Sequence, residues 1–335
     1  VITCPIHNGT FSVHAVPLPG VLFVIEETNI GMNTNGGSNV TLMIEPTNCP
    51  DLAIDEYYTV SYGPSKNLFM YTNVLCTRKT VYNISCLTEE TKPGEQRTNL
   101  FWKLTFFPTA SLYPNQTFLS NNSIAYRKKP TIFEVSSSAE NMNTKGGTVI
   151  ILKGTDFGSN TSNIAVYYGK RSIYFYKAKF LSITNRGTEL SVLSVEALGG
   201  GQAVRDGMEW YVTTADQNSS FFDKNITSYH VPIITHVTLD ADVLSTVGGT
   251  KITVVGSNFG KVSNDNINVY YGQWNTSDVF LSVPYDSTNC NVTKNHTQID
   301  CSSNIGVGKD FAWKVSIGTQ KSIIFKSNVR YMKPS

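Results

Sequence analysis

From Thr250 the chain reads TKITVV, with Thr250, Ile252 and Val254 on one parity and Lys251, Thr253 and Val255 on the other. A period of two predicts a strand buried on one face. The glycines of GSNFG (256–260) break it, and INVYYG (267–272) predicts another strand, ended by Gly272. The same succession stands earlier in the chain. KGGTVIILKGTDFG (145–158) repeats as VGGTKITVVGSNFG (247–260), 102 residues on, and NIAVYYG (163–169) as NINVYYG (266–272). Each copy has a lead-in, KPTIFEV (129–135) or VPIITHV (231–237). A degenerate first copy runs through LPGVLFV (18–24), MNTNGGSNVTLMI (32–44) and YYTVSYG (57–63). Helical periodicity is absent. Gly-Gly before each strand predicts a tight turn at positive φ.

Later landmarks recur too. FWKLTF (101–106), EWYVTT (209–214) and AWKVSI (312–317) each carry one Trp, so Trp102, Trp210 and Trp313 are expected in three equivalent cores. The copies close on Tyr126/Pro130, Tyr229/Pro232 and Tyr331/Pro334, and the last closure predicts a further domain beyond. Short strands every 8–12 residues in units of about 100 residues predict β-sandwiches. The expected division is 1–128, with an N-terminal arm, then 129–230 and 231–335.

Composition narrows the class. Of 335 residues, 40% are apolar and 16% charged, with net charge +2, so no footprint for nucleic acid is present. No apolar run reaches membrane-spanning length. The opening VITCPIHNGT lacks the layout of a signal peptide. Eleven Asn-x-Ser/Thr signals stand at Asn8, Asn39, Asn83, Asn115, Asn121, Asn160, Asn218, Asn225, Asn275, Asn291 and Asn295. About six would arise by chance from this composition. With six cysteines outside any C-x-x-C spacing, this points to an oxidising, secretory compartment and N-linked glycans.

The repeat orders the cysteines. Cys76 and Cys86 precede one Trp strand, and Cys290 and Cys301 the equivalent one, so each pair is expected to staple adjacent strands. Cys4 and Cys49 remain. They are expected to pair, pinning residues 1–18 onto the sandwich; the alternative is that one of them bridges to a partner chain.

P-x-I, GGT, G-x-x-FG and VYYG together make the second and third copies resemble the IPT/TIG domain, an immunoglobulin-like sandwich of the early-set type. The first copy, with IEPTNCPDL in place of the G-x-x-FG turn, resembles it less. The resemblance implies an all-β fold of three tandem sandwiches in an elongated array. Among such proteins the chain looks most like the Tgr adhesion receptors of social amoebae. This implies an ectodomain of a single-pass protein at the outer face of the plasma membrane. It would serve cell adhesion and kin or allorecognition, binding a related receptor in trans, heterophilically rather than homophilically.

Catalytic patterns are missing: no G-x-S-x-G, no H-E-x-x-H and no metal-ligand spacing among the five His. No enzyme activity and no cofactor are expected. RKK (127–129) reads as a solvated linker, and Gly199–Gly201 as a strand connection. A secreted carbohydrate-binding or enzyme-associated module and a plexin-like fragment remain as alternatives. Trp274, the one Trp outside the repeat, lies beside Asn275. For partner binding the expectation falls on the second copy. Val149 and Ile151 are apolar where solvent is expected, and IYFYKAKF (173–180) offers Tyr174, Phe175 and Tyr176 with no glycosylation signal beside it.

Overall fold

The computed structural model describes residues 22–26, 31–44, 57–64, 69–80, 83–90, 92, 98–107 and 116–120. From 127 it describes all residues except 160, 172, 201–202, 225–226, 263–266, 275–279, 281–283 and 334–335. Cys4, Cys49, Tyr126, Asn8, Asn115, Asn121, Asn160, Asn225 and Asn275 lie outside the described residues.

The first repeat contains β1 (Leu22–Glu26), β2 (Asn39–Ile44), β3 (Tyr57–Gly63), β4 (Tyr71–Thr72), β5 (Cys76–Arg78), β6 (Asn83–Leu87), β7 (Phe101–Phe107) and β8 (Gln116–Leu119). The second contains β9 (Thr131–Ser137), β10 (Val149–Thr155), β11 (Ile164–Lys170), β12 (Tyr174–Lys177), β13 (Lys179–Thr184), β14 (Glu189–Leu193), β15 (Glu209–Thr214) and β16 (Gln217–Asn218). The third contains β17 (Ile233–Leu239), β18 (Lys251–Ser257), β19 (Asn268–Gly272), β20 (Tyr285–Asp286), β21 (Thr288–Lys294), β22 (Gln298–Ser302), β23 (Ala312–Ile317), β24 (Gln320–Lys321) and β25 (Phe325–Lys326). All pair antiparallel into two sheets per repeat. In the second, β13-β14-β10-β9 faces β12-β11-β15-β16; the third has β17-β18-β22-β21 and β20-β19-β23-β24, with β25 also on β23. The fold is therefore all-β and immunoglobulin-like, and each repeat closes over its own apolar core.

Alternation makes these cores. Along β15 the burial switches at every residue, sending Trp210, Val212 and Thr214 inward. One aromatic stack recurs: Tyr62 on Trp102 at 4.4 Å, Tyr168 on Trp210 at 4.6 Å and Tyr271 on Trp313 at 4.7 Å between ring centroids. All three Trp are fully buried. The G-x-x-FG turn has a steric basis. A Cβ on Gly154 would run into the Thr131 carbonyl and the Phe157 ring, and one on Gly256 into the Ile233 carbonyl and Phe259. Glycine there lets the neighbouring strand close in over a buried Phe. The residue before that Phe, Asp156 or Asn258, sits at φ 60° or 63°, a left-handed position that Asx tolerates.

Disulfides Cys76–Cys86 and Cys290–Cys301 join β5 to β6 and β21 to β22. The closing residues show a shift from the sequence alignment. Met142 bridges Tyr229 and Leu244 bridges Tyr331, but the matching bridge in the first repeat is Met32 to Arg127. Tyr229 and Tyr331 bond the buried Tyr168 and Tyr271 through their hydroxyls, at 2.6 and 2.5 Å. Arg127 does the same work with a guanidinium: Nη2 donates to the Tyr62 hydroxyl at 3.1 Å and Nη1 to the Asn33 carbonyl at 3.0 Å. Arg127 is fully buried, so it is not a solvated linker residue. Its three-residue distance to Pro130 matches Tyr229/Pro232 and Tyr331/Pro334, whereas Tyr126 is one residue out.

Neighbouring repeats meet through the same contacts at both joints. Thr34 Oγ1 donates to Asp156 Oδ1 at 3.4 Å, and Thr144 Oγ1 to Asn258 Oδ1 at 3.3 Å. Gln217 Nε2 donates to the Arg127 carbonyl at 2.8 Å, and Gln320 Nε2 to the Tyr229 carbonyl at 2.7 Å. The Thr98 amide donates to Asp216 Oδ2 at 3.1 Å, and the Asp206 amide to Thr319 Oγ1 at 3.3 Å. The second joint adds more. His296 lies between Thr144 Oγ1 (3.2 Å) and Glu196 Oε1 (2.9 Å). The wholly buried Arg205 donates Nη2 to the Asn258 and His230 carbonyls at 2.5 and 3.3 Å, and burial lowers its pKa to about 10. Gly199 belongs to this joint: a Cβ there would meet the Lys261 carbonyl.

Candidate binding face

The outward parity of the β12-β11-β15-β16 sheet carries the most distinctive surface of the second repeat. Tyr168, Tyr176, Trp210 and Val212 point inward. The alternate positions Tyr167 and Tyr211 are cross-strand partners and stack with centroids 5.0 Å apart and planes 11° apart. Phe175 of β12 meets Tyr211 edge-on at 5.1 Å and 90°. Phe221, after β16, adds contacts of 5.1 Å to Tyr211 and 5.6 Å to Phe175. Each of the four is half-buried, so their rings form a continuous surface. Arg171 lies 4.2 Å over the Phe221 ring and donates Nε to Glu209 Oε2 at 2.9 Å, with Asp223 at 3.8 Å. Burial among these rings, with Tyr167 beside it, raises the Tyr211 phenol pKa.

The face is particular to this repeat. At the positions of Tyr167 and Tyr211 the first repeat has Ser61 and Lys103, and the third has Tyr270 and Lys314.

The five residues singled out from sequence divide. Phe175 belongs to the aromatic face; Tyr174, 46% exposed, has the parity of Tyr176 and meets its ring edge-on at 5.1 Å, so it does not belong to that face. Nor does Tyr176: only 3% exposed, it stacks on Tyr168 and donates its hydroxyl to the Val204 carbonyl at 3.0 Å. The period of two within β12 puts it on the opposite side from Phe175. Val149 and Ile151 are half-buried on β10, in the other sheet, with Leu193 paired to Val149. The two patches therefore belong to opposite sheets and make no common site. Tyr167, Tyr211 and Phe221 were missed, although the parity of VYYG and EWYVTT around a buried Trp would have placed the first two outward.

Glycosylation signals bear on which surfaces stay open. Asn39, Asn218 and Asn295 are exposed, and Asn83 and Asn291 half-buried. Asn218 on β16 pairs with Thr213, so it stands on the same sheet face as the aromatic cluster, at its far edge. The expectation of no signal near these aromatics holds along 173–180 but not across the sheet. Trp274 is half-buried, with Lys326 Nζ 3.7 Å over its ring.

The family model for the IPT/TIG domain matches residues 232–331. The third repeat is an IPT/TIG domain. No curated protein matches the chain. Among solved structures the chain is similar to a marsupial T cell receptor, at 12% identity over 92% of this chain and 99% of that one, TM-score 0.29. It is also similar to the Escherichia coli adhesin FdeC, at 8% identity over 96% of this chain and 100% of that one, TM-score 0.27. A third is the mouse nectin-like molecule 4 ectodomain (Ig1–Ig3), at 8% identity over 91% of this chain and 98% of that one, TM-score 0.24. The IPT/TIG domain and the strand-paired disulfides of the first and third repeats fit an extracellular module. Among the described residues no helix is long and apolar enough to cross a membrane.

Proposed function

We propose that this chain is an extracellular adhesion and recognition module whose second repeat docks a protein partner through Tyr167, Phe175, Tyr211 and Phe221. The partner is a related IPT/TIG receptor on an apposed cell, met heterophilically, with this chain held at the plasma membrane by a segment outside it. The carrying observation is the aromatic outer face itself. Tyr and Arg are enriched at the centres of protein interfaces, and a monomer gains nothing from a shared apolar surface left open to water. A sugar-binding reading is less supported. Tyr211 meets Phe175 at 90° and Phe221 at 63°, so the rings present no flat platform, and Arg171 covers one face of Phe221.

One substitution tests this. Tyr211→Asn creates a glycosylation signal with Val212 and Thr213 at the centre of the face. Val149→Asn combined with Ile151→Thr places one on the other sheet. Both are secreted, checked for glycan and thermal stability, and assayed by bead and cell binding against related receptors. The first is expected to abolish binding and the second to leave it intact. Normal binding by a folded, glycosylated Tyr211→Asn chain refutes the reading, as does binding to a glycan array in place of cells.

A further inference from the structure

At both joints, three polar groups at the lower end of one repeat are taken up by the next. They are the threonine of the Gly-Gly turn (Thr34, Thr144), the carbonyl of the closing residue (Arg127, Tyr229) and an amide ahead of the Trp strand (Thr98, Asp206). The third repeat has all three in the same places: the Thr246 hydroxyl, the Tyr331 carbonyl and the Lys309 amide, four residues before Trp313 as Asp206 is before Trp210. None of these three groups has a hydrogen-bond partner among the described residues. Around them stand Val247, Ile305, Val307 and Met332, 80, 65, 59 and 57% exposed. Val307 corresponds to Leu198, as the bonds of Val307 to Tyr285 and of Leu198 to Tyr176 show. Leu198 is partly buried and bridged to Lys261 of the third repeat. The same position is thus covered in the second repeat and open in the third.

We propose that this end of the third repeat is the receiving half of another joint of the same kind, and that its occupant is a further sandwich domain of this repeat, stacked end-on. That domain would carry Asp or Asn before the Phe of its G-x-x-FG turn, to accept from Thr246. Its hairpin would carry a Gln seven residues past its Trp, donating to the Tyr331 carbonyl, preceded by an oxygen-bearing side chain for the Lys309 amide. The four apolar side chains then lie under it as Leu198 lies under the third repeat. The spacing Tyr331-x-x-Pro334 reproduces that of Tyr229 to Pro232, the lead into the existing joint. A second copy of this chain fits poorly as occupant. Its first repeat has IEPTNCPDL where the turn should be, so it brings no Asp or Asn ahead of a turn Phe for the Thr246 hydroxyl, although Gln116, paired with Phe106, stands where Gln217 and Gln320 do.

The test extends the full chain with a second copy of residues 232–333, joined so that the Tyr-x-x-Pro spacing is kept. Amide exchange of 304–310 is compared in the parent and extended chains. Stacking is expected to slow exchange there at least tenfold, and Gln320→Ala made in the appended copy to undo most of that. If the appended copy melts cooperatively and exchange at 304–310 stays at the parent rate, the proposal fails. Should that copy not fold, residues 130–230 take its place, and unchanged exchange beside that folded copy refutes the proposal equally. Protection in the parent that grows with its concentration also overturns it, by making a second copy the occupant.

Discussion

Raising the pH should unfold the second repeat through three buried phenols. Tyr168, Tyr176 and Tyr229 bond one another or backbone carbonyls inside the core. Burial raises each pKa, that of Tyr176 to about 12 and those of Tyr168 and Tyr229 further. An unfolded tyrosine ionises near 10. A folded value raised above the unfolded one means that this stabilisation is complete below about pH 10 and is lost as pH climbs toward the folded value. One pH unit corresponds to about 1.4 kcal/mol per group, so at pH 11 the three together cost about 4 kcal/mol. A single domain has roughly 5–15 kcal/mol in all. The assay pairs melting curves from pH 8 to 11.5 with phenolate absorbance at 295 nm. The buried set should appear in the phenolate absorbance only together with unfolding. Smooth titration of all 17 tyrosines near pH 10 with the fold intact refutes the reasoning.

Trp210→Ala removes a fully buried ring that donates Nε1 to Thr227 Oγ1 at 2.8 Å. It should cost about 3–5 kcal/mol, and an unchanged melting temperature would count against the core assignment. Arg127→Ala removes one of two donors from the Tyr62 hydroxyl and from the Asn33 carbonyl, leaving the Glu89 and Gly36 amides, and with the loss of these charge-assisted bonds should destabilise the first repeat by about 2–3 kcal/mol. Arg127→Tyr restores the closing residue of the other repeats and should cost clearly less; urea denaturation showing equal losses would contradict the equivalence.

Most of the architecture was legible because it rests on local rules. Period-two alternation, Gly-Gly turns and one Trp per copy are written in contiguous residues, and the repeat aligns them. What was not legible depends on contacts distant in sequence. Arg127 replaces a tyrosine in function, and no local pattern marks that; only its distance to Pro130 does. His296 sits inside a glycosylation signal, and nothing nearby shows that it meets Thr144 and Glu196 across a joint. Tyr176 looked like surface because IYFYKAKF was read as one block, whereas strand alternation splits it. The aromatic face draws on β11, β12, β15 and the residues after β16, so any one of them shows only part of it.

In the second repeat β11 and β15 carry two messages at once. One parity, Val166, Tyr168, Trp210 and Val212, is fixed by the core and shared with its neighbours in kind. The other, Tyr167, Tyr211 and their surroundings, touches no core residue's position in the strand and differs from repeat to repeat. Selection can therefore rewrite the second without erasing the first. A lineage that needs many mutually distinguishable surfaces on one scaffold could vary alternate letters of two strands and keep the sandwich.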